Sequence, residues 1–589
     1  SGDTLSETHR LLGREGHWLE SVRTLSLVNR RLMSMSRDGE ATLVMTYDVA
    51  GRLTAETASP GKPQEAGRHF FYHYATPTKR AHLVTTDAQG RSTVTYYDGM
   101  GRQVAQALLL EGGTNEQPLG TWRYDALGQT VEKTRIDYLP DGERVLTTRY
   151  AYNPWGNASR VTRADGRVTI DDYDPRLHLR VTGVEGGELL ETHLNAHHQP
   201  FQVNRVDALG QLTEVESRTY DGLGRCLSRL DVDKHRTDYS YDLFDRVVAT
   251  VQTPSDGSPS RQRTVAYAPG SSEPHTSSIS IDGRLVGSRT YDSLGRLTAQ
   301  SRGTAPATTW DYETGWTEPV AVVSGAGKRQ QWAYDKELGV LSTVKMAGHP
   351  DRLYRHDPVS AQPTYSENGA LKHELFHDVN GYPEKEVQTV LGMPLTAHYG
   401  HSLGGRLLHH TSPEGLRSDF EYDANGRFRK MVAGEVAVEQ HYDRFARPEV
   451  LTTRYASTEV VTRVGYDALG REAERRFEQN GALLQVMSST YHPNSLLASR
   501  FVRDAAAQLV IGETFTYDAF LRLTTYRCEG REYPQDSLGR NIAGQQFSFD
   551  SLDNITRVVT SFADGTQDIS ERFFTDADPT RLTRVTHSN

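Results

Sequence analysis

Residues 291–297 read Tyr-Asp-Ser-Leu-Gly-Arg-Leu, and this heptad decides the fold. Asp292 can accept hydrogen bonds from backbone amides just ahead of it, which halts an extended strand. Gly295 supplies the positive φ that closes a turn without a Cβ clash. Arg296 and Leu297 then begin a return strand. In a sister copy, residues 236–241 (Arg-Thr-Asp-Tyr-Ser-Tyr) approach their own Tyr-Asp with the two-residue alternation of a strand. The unit is a β-hairpin.

The heptad recurs. Tyr-Asp occurs twelve times, at Asp48, Asp98, Asp125, Asp174, Asp221, Asp242, Asp292, Asp335, Asp423, Asp443, Asp467 and Asp518. Random placement would give about two. Seven copies carry Gly three residues later, and six of those glycines precede Arg. Five such copies define the candidate structural motif: Tyr47, Asp48, Gly51, Arg52; Tyr97, Asp98, Gly101, Arg102; Tyr220, Asp221, Gly224, Arg225; Tyr291, Asp292, Gly295, Arg296; and Tyr466, Asp467, Gly470, Arg471. Where Gly is lost, Arg often survives, at Arg246, Arg447 and Arg522. Neighbouring copies lie 20 to 27 residues apart, and a looser turn such as Asp165-Gly166-Arg167 falls between them. A lone hairpin is marginal in water, so the units must pair edge to edge. Roughly 25 hairpins make a sheet too long to stay flat, and strand twist coils it into a spiralling strip.

Composition agrees with a thin sheet. Of 589 residues 36% are hydrophobic, with 29 Tyr and 51 Gly, which suits many strands and tight turns better than thick cores. The net charge of -10 gives no basic face for nucleic acid. No run approaches the apolar length of a membrane span. Two cysteines, Cys226 and Cys528, exclude a disulfide scaffold and a four-thiolate metal site. The chain opens Ser-Gly-Asp and is read as an excised piece of a longer polypeptide.

From about Tyr47 onward the chain resembles the RHS/YD-repeat family, which includes bacterial polymorphic toxins, the B and C components of insecticidal Tc toxin complexes, and animal teneurins. The bacterial toxins are the better likeness, because Tyr-Asp-x-x-Gly-Arg is kept with little decoration and no cysteine-rich modules precede it. The resemblance implies an all-β, hollow, shell-like strip over residues 41–589 that encapsulates a toxic C-terminal cargo before delivery. It implies a secreted, extracellular bacterial protein whose partners are an N-terminal closing module, an autocleaving core and the C-terminal toxin. Asp578-Pro579-Thr580-Arg581 lacks the Gly-rich continuation of that core, so no self-cleavage is expected here. The rival reading is an extracellular binding module for carbohydrate or cell-surface adhesion.

Residues 1–40 read differently. Leu11, Leu12, Trp18, Leu19, Val22, Leu25, Val28 and Leu32 recur at spacings of three and four, and Ser6 and Thr8 could cap a helix. A short helical connector, or a cap on the shell, is expected.

Two enzyme-like motifs compete with the repeat. His373-Glu374-Leu375-Phe376-His377 spells H-E-x-x-H, whose zinc chemistry needs a helix. Here His377 takes the Tyr place of a repeat, and in a strand the two His would stand about 13 Å apart. Gly400-His401-Ser402-Leu403-Gly404 spells the nucleophile elbow, but its flanks lack the buried strand and following helix. The repeat frame sets Ser402-Leu403-Gly404 on Ser293-Leu294-Gly295, with one extra Gly before Arg406. The pairs His197/His198 and His409/His410 receive no ligand role. No catalytic, cofactor-binding or metal-ligating residue is assigned, no cofactor is expected, and the chain is read as no enzyme. The motif arginines are expected to pair with acidic residues on neighbouring strands.

Overall fold

The computed structural model describes residues 3–110 and 115–588, and every regular element among them is a strand: 49 in one antiparallel sheet. Successive strands pair with one another. Leu43–Tyr47 runs against Leu53–Ala58, with Leu43 opposite Ala58 and a register shift at Thr46/Tyr47. The same bulge recurs at Tyr97, Tyr220 and Tyr466, with the one extra residue standing in the return strand opposite.

The first 40 residues are strands, which corrects the expected helix. β1 (Thr4–Leu12), β2 (Trp18–Ser26) and β3 (Leu32–Arg37) pair in sequence, and β3 pairs with β4 (Leu43–Tyr47). The cause is local: Gly16, at φ 83°, turns the chain between β1 and β2 and cuts the apolar periodicity in two. Once a partner is present, Thr8, Val22 and Thr24 satisfy a pleated surface better than a helix.

Burial is shallow. Val94 and Ala107 sit opposite each other and are buried, but most strand positions are only half-covered. The chain exposes 33249 Å², against about 21,000 Å² for a compact body of this mass. Cross-strand pairs and turn hydrogen bonds therefore carry more of the stability than any core.

Two compact units arise: residues 1–149, 291–299 and 308–434 form one, and residues 150–290, 300–307 and 435–589 the other. Each contains an earlier and a later pass of the strip. Hairpins alternate their turns, so motif turns line one margin of a pass and linking turns the other. In the first unit the linking turns of the earlier pass meet the motif turns of the later one. The Arg14 amide donates to Ser293 Oγ (2.7 Å), Ser59 Oγ to Glu337 Oε2 (2.8 Å) and Arg91 Nη1 to Asn380 Oδ1 (3.2 Å). These contacts span 278 to 289 residues of chain. In the second unit the Ala208 amide donates to the Ala468 carbonyl (3.0 Å), Asn494 Nδ2 to Asp233 Oδ2 (2.8 Å) and Arg261 Nη1 to Asp553 Oδ1 (2.8 Å).

Candidate functional site

The motif turn is the unit from which both seams are made. In residues 292–296 the Gly295 amide donates to the Asp292 carbonyl (3.0 Å) and the Asp292 amide to the Arg296 carbonyl (2.9 Å). Asp292 Oδ1 accepts from the amides of Leu294 (3.0 Å) and Arg296 (2.9 Å), while Oδ2 accepts from Arg296 Nε (2.7 Å). Gly295 has φ 81°, as a type I turn closed by a left-handed residue requires. Asp48/Arg52, Asp98/Arg102, Asp221/Arg225 and Asp467/Arg471 repeat the ion pair. Copies that lost Gly keep the conformation: Ala446 has φ 62° and Leu521 φ 65°. Gly295→Val is thus expected to cost about 1–2 kcal/mol, and Leu521→Gly to gain up to about 1 kcal/mol, in urea unfolding.

The motif arginines differ from expectation, because each pairs with the Asp of its own turn rather than with a neighbouring strand. A carboxylate four residues back is already held by the turn, so the guanidinium meets it at little entropic cost. The free face of the Arg then covers the Tyr of the next copy: Arg102 over Tyr124 (4.6 Å), Arg225 over Tyr241 (5.0 Å), Arg447 over Tyr466 (3.9 Å) and Arg471 over Tyr491 (4.4 Å). The Tyr hydroxyl in turn donates to the carbonyl just after the preceding copy's turn, as Tyr241 does to Cys226 (2.8 Å) and Tyr466 to Pro448 (2.6 Å). Tyr47 and Tyr220 make the same contact to Leu32 and Pro200. Each turn is thereby fastened to the next. Arginines outside the motif do ladder across strands, as Arg68 with Glu56 and Arg180 with Asp171.

The turn amides set the acid response. In Asp48, Asp98 and Asp221 the amide of the following Arg, ahead of its guanidinium, holds the carboxyl below its ordinary range. The unfolded chain therefore binds more protons in acid. This stabilisation is complete above the unfolded Asp value near about 4 and is lost as the pH falls through the lower folded values. The thermal midpoint is expected to hold between about pH 7 and 5 and to fall steeply below about 4. A decline already complete by pH 5 would assign the response to His instead.

Ser402 has an unforeseen place. The turn 402–406 has the same length as 292–296, with Gly405 at φ 82° and its amide donating to the Ser402 carbonyl (3.0 Å). Ser402 thus stands where Asp292 stands, and no Gly is inserted before Arg406, which corrects the expected frame by one residue. The missing carboxylate comes from Asp137, which is buried in the earlier pass of the same unit. Asp137 Oδ2 accepts from Ser402 Oγ (2.9 Å), Oδ1 accepts from the Gly404 amide (2.8 Å), and Arg406 pairs with it as a motif Arg pairs with its own Asp. Ser402 Oγ also accepts from the Arg406 amide (3.0 Å), a turn role rather than that of a nucleophile. His373 and His377 lie in the strand Leu371–His377, where Glu374 points to the opposite face from both. His373 Nε2 meets Glu386 Oε1 at 2.8 Å.

An antiparallel ladder with Tyr-Asp-x-x-Gly-Arg at six of its turns, and degenerate copies at others, has the fold of the RHS/YD-repeat proteins. No protein-family profile and no curated protein matches the chain. Solved structures do. A crystal structure of TcdB2-TccC3-Cdc42 matches with TM-score 0.71 at 11% identity, over 99% of this chain and 38% of that one. The Photorhabdus luminescens Tc holotoxin pore matches with TM-score 0.75 at 11% identity, over 99% of this chain and 37% of that one. The chain spans less than two fifths of the length of either neighbour.

Proposed function

We propose that this chain is a non-catalytic wall segment of a secreted bacterial toxin, which isolates a toxic polypeptide until delivery. The observation that carries this reading is the seam. Within each unit a later pass of the strip docks along an earlier one through its turns, so one margin of each pass is covered by the other pass and the sheet continues across the seam. A wall that wets both faces suits confinement, because an enclosed polypeptide is kept from partners without being gripped by an apolar surface. The likeness in fold to Tc toxin structures supports the same reading. Residues 1–40, as β1–β3, are a connector or cap that continues the sheet into the motif-bearing part, 41–589. No described helix is long and apolar enough to cross a membrane.

Protease protection tests the proposal. A destabilised reporter fused after Asn589 should resist digestion under conditions that degrade the same reporter fused to an unrelated β-protein. Equal degradation, with retention of the chain on a glycan array, would replace the wall by a carbohydrate-binding module.

A further inference from the structure

In the second unit one position of the motif occurs in two environments. Two residues after the motif Asp, the later pass carries Phe445, Leu469, Phe520 and Leu552, all at least half-buried. Linking turns of the earlier pass cover them. The backbone of Gly187 lies against Phe445, so close that a Cβ there would stand 3.3 Å from the ring. The Arg261 guanidinium lies 4.4 Å over Phe520. The same position in the earlier pass holds Trp155, Leu223 and Phe244, in turns of the same kind, with His197 between the first two. These are exposed: Trp155 by 46%, Leu223 by 76% and Phe244 by 58%. A row of large apolar side chains repeated along one margin is an interaction surface rather than scattered exposure.

The molecule itself shows what covers such a row, namely a margin of linking turns. The later pass of the same unit has one, and there Tyr455, Leu484 and Leu538 stand exposed. We propose that the motif margin at residues 153–246 docks the linking margin around residues 455–538 of a second copy of this chain, repeating the seam that joins the two passes within the unit. The contact is heterologous, so each added copy leaves one margin of each kind uncovered and assembly does not close. It requires no cargo and stands apart from the proposed confinement.

Light scattering coupled to size exclusion reads this directly on the full chain. The wild type should grow in mass with concentration. Leu223→Asp combined with Phe244→Asp should remain at the monomer mass of 65.8 kDa, with an unchanged β-sheet circular dichroism spectrum, since both side chains already face solvent. Tyr455→Asp, on the other margin, should also be monomeric alone. Mixing the two variants leaves one intact margin of each kind and should yield a dimer of twice the monomer mass and nothing larger. A wild type that stays monomeric up to its solubility limit would overturn the proposal. So would a motif-margin variant that still grows, or a mixture that does not dimerise.

Discussion

Asp137→Ala is expected to lower stability by about 3 kcal/mol, measured as a shift of the urea midpoint followed by Trp fluorescence. The side chain is buried and serves four groups at once: Ser402 Oγ, the Gly404 amide, the Arg406 guanidinium and its own neighbour's amide at Tyr138 (2.9 Å). Removing it strands a largely buried Arg and two turn donors without the carboxylate they share. Asp137→Asn keeps acceptors for Ser402 but loses the charge that Arg406 faces, so about half of the loss should remain. The discriminating result is the companion variant Ser402→Asp. In the wild type it sets two carboxylates at one site and should destabilise; in Asp137→Ala it restores the motif within its own turn and should recover part of the loss. If Asp137→Ala costs less than about 1 kcal/mol, the turn does not depend on the carboxylate from the other pass.

Arg296→Ala is expected to cost a similar amount, about 3 kcal/mol. In the Asp292–Arg296 pair both side chains are only 7% exposed, unlike the more open Asp48–Arg52 pair. Nη1 donates to the carbonyls of Trp316 (2.9 Å) and Glu313 (3.3 Å), and the guanidinium lies 4.5 Å over Tyr312. Truncation leaves Asp292 charged and covered, frees two carbonyls and uncovers a ring. Arg296→Lys keeps the charge but not the planar fork, and should recover less than half of the loss. Arg52→Ala, the same motif position at an open margin, should change stability little. Equal effects at both positions would mean that the motif acts through its local turn alone.

The hairpin was legible because its chemistry is local. Asp, Gly and Arg act within five residues, and the Asp292–Arg296 geometry follows from their spacing. The fastening of one copy to the next was only half visible: an Arg and a Tyr separated by a strand pair look independent until the pleat stacks Arg225 on Tyr241. The seam was invisible, since Asp137 and Ser402 are joined across 265 residues. The single trace it left was Ser in the place of Asp, and the elbow-like spelling of Gly400–Gly404 drew the eye from it. The amino-terminal segment misled for a different reason. Leucine spacing there fits a helix as well as it fits two short strands, and only the partner strand decides between them.

Arrays of repeats ordinarily gain and lose copies cheaply, because each copy touches only its neighbours. The seam removes that freedom. Duplicating one hairpin between Arg144 and Ser402 would slide the later pass by a full turn, and Asp137 would then confront a turn that already owns an Asp. Two like charges would share a covered site while the turn at Ser402 went without. Growth of the gene by single copies is therefore penalised. Viable length changes come in pairs that preserve the offset, and the number of copies behaves as an inherited gauge instead of a drifting count.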